Sequence, residues 1–313
     1  METAVRVDHL TKHFHDIKAV NDISFRIERG ELFGFLGVNG AGKSTTINIL
    51  STLLAQTAGT VELCGYQLGK DNEKIRRKIG VVRQNNCLDN ELSVKENLLV
   101  RSSLYEKDKA KRKRRLLDIC EIMGLKEIYD RRYAKLSGGQ KRRCEIAAAL
   151  VHVPEILFLD EPTTGLDPAT RKAVWESIEK LRRELKMTVF LTTHYMEEAA
   201  RASTIAILDA GQMKEQGTPF YLKECYAKDK LKLIPASGRE EELREFLEKD
   251  HLSCQRKEEY IELTLSDSMY AVPLLARCKE LLTGFEMVQG TMDDVFLQIT
   301  GREAMEDFRE NEI

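Results

Sequence analysis

With 313 residues, 42% apolar and 32% charged, the chain is long enough for two domains and a substantial core, and its composition fits a soluble globular protein. Its 49 Lys and Arg nearly balance 51 Asp and Glu, and the net charge of −2 gives no electrostatic reason to expect nucleic acid. Seven scattered cysteines form neither a CxxC pair nor a metal-ligand spacing, which reads as reduced cytosolic thiols.

The opening stretch, METAVRVDHLTKHF, lacks the apolar segment of a signal peptide. No apolar run approaches the ~18 residues that cross a bilayer, so a soluble chain is expected, with any membrane role exerted through a partner. HLTKHFH (9–15) holds three histidines at a spacing that matches no metal motif. From Val5 to about Gly217, strand-like runs alternate with helical or loop segments. ISFRI alternates; LFGFLG runs into a glycine loop, and TINILSTLL after it has helical spacing. IGVV, EILFLD, MTVFLTT and IAILD are short apolar runs of the kind buried in a mostly parallel sheet. Residues 92–150 shift to long, charge-dense helical patterns and read as a helical subdomain inserted into an α/β core. Within them KDKAKRKRR (Lys107 to Arg115) invites a nucleic-acid or anionic-lipid reading, but such runs are usually solvated helix faces, and that is the expectation. From Leu231 the order strand, helix, strand, strand, helix, strand predicts a small α+β unit of ferredoxin-like type.

GVNGAGKST, Gly37 to Thr45, fits G-x-x-x-x-G-K-[ST] between a strand and a helix. The backbone N–H groups of Gly37, Asn39, Gly40, Ala41, Gly42, Lys43, Ser44 and Thr45 are expected to cradle phosphates, Lys43 to reach the β- and γ-phosphates, and the Ser44 hydroxyl to ligate Mg²⁺. EILFLDEP ends an apolar strand in Asp160, at the sheet edge where ligands bind in open α/β folds; Asp160 is expected to bind the metal. Glu161, next in sequence and aimed differently, would polarise the attacking water as general base. His194 in LTTHYMEEA follows another strand, and on the same edge it could hydrogen-bond the γ-phosphate or orient the water. In KLSGGQKRRCEIAAAL, Ser137 and Gln140 form a capping box, with Gly138 and Gly139 in the first turn, where each costs up to about 1 kcal/mol of helix propensity. A glycine-rich helix start suits a phosphate, and the chain already has a phosphate loop upstream.

GVNGAGKST, LSGGQ, LFLDEP, GLD and TTH, in that order, resemble the ATP-binding subunit of ABC transporters over about residues 5–220. The resemblance implies a P-loop NTPase domain over 1–220 and an accessory or regulatory domain over 221–313. It implies ATP and Mg²⁺ as cofactors. It places Phe14 where the family stacks an aromatic ring on adenine, Gln84 where a glutamine contacts Mg²⁺ and water and senses a membrane partner, and Asp167 where an acid contacts the opposite subunit. Two such domains would face head to tail, so that Ser137–Gln140 of one binds the γ-phosphate held by the other. A second copy or a paralogue is therefore implied, along with an integral-membrane permease, on the inner face of the cell membrane. Val38 stands where proline is common and Phe14 where tyrosine is common; neither removes a needed backbone N–H. TMDDVFLQITG (291–301) is similar to the end of the daunorubicin-resistance type of exporter ATPases, and equally reads as an amphipathic helix with Met292, Val295, Phe296 and Ile299 on one side.

Two rival readings stand beside an export ATPase. One is an ABC ATPase acting in translation or DNA maintenance, against which stand the single P-loop and the sequence pI of about 6.4. The other is a nucleotide-gated regulator, which has less need of Glu161.

Overall fold

The computed structural model describes residues 2–250, 252–265 and 267–301, so the end of the domain expected over 221–313 lies outside the described residues. The described chain divides into two units at Gln216–Gly217. The first unit begins β1 (Thr3–Phe14), β2 (Ile17–Glu28), β3 (Leu32–Leu36), α1 (Lys43–Leu50), β4 (Ala58–Leu63), β5 (Tyr66–Gln67), α2 (Asn72–Lys78) and β6 (Ile79–Val82). It continues through α3 (Val94–Ser103), α4 (Lys109–Ile122), α5 (Gly138–Leu150), β7 (Ile156–Asp160), α6 (Pro168–Leu185), β8 (Thr188–Thr193), α7 (Met196–Ala199), β9 (Thr204–Asp209) and β10 (Gln212–Gly217).

Six strands form one sheet in the order β10-β9-β3-β8-β7-β6, with β9, β3, β8, β7 and β6 parallel. Every residue of β3 and β8 is buried, which is why these strands read as unbroken apolar runs: a parallel sheet is covered on both faces. The mostly parallel expectation omits a second sheet, β2-β1-β4-β5, which is antiparallel throughout. A tight hairpin makes it, with Phe14 paired to Ile17 across His15 and Asp16. One core joins both sheets and α1, centred on Phe25, Phe33, Phe35, Phe158 and Phe190 with ring centroids 5.1–6.4 Å apart. Rings stacked and tilted at this range add to what area burial alone gives.

A second difference lies in α1. The spacing of TINILSTLL predicts a helix to Leu54, but α1 stops at Leu50, with Ser51 as C-cap and Thr52 at φ 64°. The left-handed turn at Thr52 ends the helix although the apolar pattern runs on.

The second unit runs α8 (Pro219–Tyr226), β11 (Asp229–Pro235), α9 (Glu240–Lys249), β12 (Cys254–Arg256), β13 (Ile261–Leu265), α10 (Ala271–Cys278), β14 (Leu282–Val288) and α11 (Met292–Thr300). Its sheet, β12-β13-β11-β14, is antiparallel throughout, the ferredoxin-like pairing. Leu231, Leu233, Leu243, Leu247, Ile261 and Leu263 make its core. α11 is capped by a Thr291–Asp294 box and buries Met292, Val295 and Phe296, with Ile299 half-buried. Among the described residues no helix is long and apolar enough to cross a membrane.

Candidate active site

Because β3, β6, β7 and β8 are parallel and in register, their C-terminal ends share one edge: Leu36 pairs with Thr193, Asp160 with Thr192, and Val82 with Leu159. The residues that follow those ends are the P-loop, Gln84, Glu161 and His194. Local sequence places each of them at a strand end, and sheet topology then brings the four together.

The P-loop turns from β3 into α1 through Gly37, Val38, Asn39, Gly40, Ala41 and Gly42. Gly42 is at φ 107°, and a Cβ there would stand 2.5 Å from the Ala19 carbonyl oxygen, so this position admits only glycine. The Lys43 side chain is 5% exposed; its ammonium donates to the carbonyls of Gly37 (2.6 Å) and Val38 (3.0 Å), and lies 3.8 Å from Glu161 Oε1. Ser44 is exposed and Thr45 half-buried, both in the first turn of α1, whose dipole favours negative charge there. Phe14, 42% exposed, ends β1 next to the strand start that meets this loop, since Ala19 of β2 is the residue Gly42 abuts.

Asp160 Oδ1 accepts from Thr192 Oγ1 (2.6 Å), which fixes that carboxylate at the end of β7. Glu161 turns away from it at φ 44°, a left-handed conformation that a residue of this size adopts only under constraint. The constraint is visible: its N–H donates to Thr192 O and Thr192 Oγ1, both at 3.1 Å. The side chain thereby meets Gln84 Nε2 (3.3 Å), Thr164 Oγ1 (3.2 Å) and His194 Nδ1 (3.5 Å). His194 holds the Glu161 carboxyl below its ordinary value; burial opposes the shift and Lys43 adds to it. A carboxylate ionised at neutral pH, flanked by a cation and an amide beside a phosphate-sized loop, can accept a proton from water.

Ser137–Gln140 are not part of this cluster. Ser137 Oγ accepts from Gln140 N–H (3.4 Å) while Gln140 Oε1 accepts from Ser137 N–H (3.1 Å), closing the expected capping box. The two glycines differ in kind. A Cβ on Gly139 would fall 2.0 Å from Thr170 Cγ2, so Gly139 serves the packing of α5 on α6; on Gly138 it would meet Leu166 at an ordinary 3.5 Å. Packing therefore excludes a side chain at Gly139 but not at Gly138. Asp167 caps α6 by accepting from Thr170 N–H (3.0 Å), close to that packing.

Two residues escape the sequence reading. Arg142, 5% exposed on α5, donates to the carbonyls of Asp160 (3.0 Å), Glu161 (3.2 Å), Pro162 (2.6 Å) and Arg83. Burial lowers its pKa, and these acceptors satisfy the guanidinium instead of water. Glu198, 2% exposed, accepts from Thr163 Oγ1, Trp175 Nε1 (2.9 Å) and Thr193 Oγ1 (2.8 Å), tying together the turns that carry Glu161 and His194. A faint signal exists for the first: Arg142 and Glu145 sit three apart on a helix otherwise reading CEIAAAL, and both are buried.

The chain is similar to known proteins over most of its length. The family model described as ABC transporter matches residues 20–164. The daunorubicin/doxorubicin resistance ATP-binding protein DrrA of Streptomyces peucetius is 34% identical over 309 residues, covering 96% of this chain and 93% of that protein. The Nod factor export ATP-binding protein I of Burkholderia lata is 37% identical over 302 residues, 94% of this chain and 96% of the relative. Among solved structures, a dimeric post-hydrolysis state of the ATP-binding cassette MJ0796 bound to ADP and Pi superposes with a TM-score of 0.62 and 29% identity, over 68% of this chain and 98% of that one.

Proposed function

Since the chain belongs to the ABC transporter family of ATP-binding, ATP-hydrolysing proteins, we propose that it powers export through a separate membrane permease, as one of two such subunits meeting head to tail. The observation that carries the hydrolytic assignment is the aim of Glu161: a constrained left-handed turn directs its carboxylate to Lys43, Gln84 and His194 and away from Asp160. Glu161 accepts the proton of the attacking water, Gln84 and His194 orient that water, and Lys43 offsets charge on the β- and γ-phosphates. The residues fit Mg²⁺, which prefers a hydroxyl, one carboxylate, waters and substrate phosphates to an all-protein cage: Ser44 is exposed at the helix start and Asp160 is held by Thr192. Mg²⁺ held by Ser44, Asp160 and Gln84 would supply charge neutralisation at the phosphates. Phe14 is the adenine platform, and its exposed ring at the end of β1 supports that role.

The second phosphate site is donated to the partner. Ser137 caps its own helix, Gly138 has room for close approach, and Asp167 is exposed beside them. The partner is a second copy or a paralogue. A cavity of about 290 Å³, lined in part by Leu53, Arg83, Cys87, Arg101, Tyr105 and His152, lies next to Gln84 in sequence and supports a permease contact there. That contact makes the subunit peripheral on the inner face of the membrane. The relatives named for drug resistance and Nod factor export favour export. The 221–313 segment is an accessory domain.

The solution mass of purified Glu161→Gln, with and without ATP and Mg²⁺, tests this. Loss of the base slows turnover by roughly 10²–10⁴-fold, and the variant accumulates as an ATP-dependent dimer. Parental turnover in Glu161→Gln would overturn the assignment.

A further inference from the structure

We infer that the corner between α3 and α4 is an electrostatic seat for an anionic phospholipid surface. Lys107, Lys109, Lys111, Arg112, Lys113, Arg114 and Arg115 place seven cations in nine residues, with Asp108 as the only acid. Among the described residues none of the seven makes an ion pair; those of this helical region are Lys95–Asp130, Lys126–Glu121 and Arg132–Glu91. The charges also oppose the helix they stand on. α4 carries no acid in its first turn, where the dipole favours anions, and begins with lysines. Asp108, which caps the helix by accepting from Ala110 and Lys111 N–H, is the sole compensation.

Apolar side chains stand exposed in the same corner: Val100, Leu104 (76%) and Tyr105 just before the run, and Leu117 within α4. Apolar groups beside unpaired cations suit the headgroup layer of an anionic bilayer, where both are satisfied. Nucleic acid would use the cations and leave Leu104 and Val100 without a role. Tyr105 also lines the cavity assigned to the permease, so this corner adjoins the membrane side of the unit. The inference rests on the reading that the subunit works at a membrane face.

The test is flotation of the purified full chain with vesicles of phosphatidylglycerol in phosphatidylcholine, against phosphatidylcholine alone, at low and high salt. The parent binds the anionic vesicles, releases at high salt and ignores the neutral ones. Replacing Lys109, Lys111, Lys113 and Arg114 together by Gln lowers partitioning roughly a hundredfold or more, since each cation near an anionic surface counts about fivefold. Leu104→Ser lowers it further. Because the four side chains are exposed, the quadruple variant keeps its ATPase rate in solution and its melting temperature does not fall. Equal binding by parent and quadruple variant, or a parent that floats free of anionic vesicles while hydrolysing ATP, overturns the inference without touching the ATPase reading. So does a parent that prefers a short nucleic-acid duplex to the vesicles. A chain that binds but hydrolyses nothing leaves the seat intact and overturns the ATPase reading instead.

Discussion

Two helices of the nucleotide unit begin with glycine beside backbone N–H groups suited to phosphate, α1 after Gly42 and α5 after Ser137, and they are built to opposite plans. At α1 the requirements are internal: Ala19 forces the glycine at 42, and Lys43 is buried on the carbonyls of its own loop. At α5 the capping box satisfies Ser137 and Gln140 between themselves, and Gly138 is exposed, with Leu166 only at ordinary contact distance from where a Cβ would stand. What each glycine abuts thus separates a loop closed by its own chain from a helix start left exposed on the surface.

The comparison breaks most visibly at Lys43. Lys43→Ala should lower ATP turnover by about three orders of magnitude or more, because the removed cation faces the transferred charge and its loss also strips the loop carbonyls of their donor. Normal turnover in a steady-state ATPase assay would mean the phosphates lie elsewhere. Ser137→Arg acts only on the outward half: ATP affinity of the monomer, read by nucleotide fluorescence, should change less than about twofold, while the ATP-dependent dimer disappears from light scattering. Monomers that no longer bind nucleotide would make α5 part of the chain's own site. The smallest effects are the sharpest. Gly139→Ala should destabilise by about 1–3 kcal/mol through its clash with Thr170. Gly138→Ala, with room for a methyl group and a gain in helix propensity, should melt no lower than the parent. Equal melting of the two in a thermal scan would erase the distinction drawn between them.

Much of this was legible in the chain. IGVV, EILFLD and MTVFLTT became β6, β7 and β8 because an apolar run covered on both faces has few other uses, and the motif residues follow strand ends that can be read directly. The alternation of strands and helices in the second unit was similarly readable, and its βαββαβ order pointed to the pairing that the sheet adopts. Arg142 escaped because its contacts are distant in sequence. Its four acceptors lie 18 to 59 residues away, and nothing near Arg142 announces a cluster of carbonyls. Glu198 met partners up to 35 residues off, and only the fold reveals that Thr163, Trp175 and Thr193 converge on it. The hairpin sheet of β1, β2, β4 and β5 was missed because register shifts break the alternation of its two long strands, and which strands join depends on contacts outside each one.

Arg142 also ties one helix to two separate stretches of the chain. It stands five residues past Ser137, about 7.5 Å along the helix axis, and grips the carbonyls on either side of the base and at the approach to Gln84. A displacement of the start of α5 would therefore reach, within two helical turns, the peptide that aims Glu161.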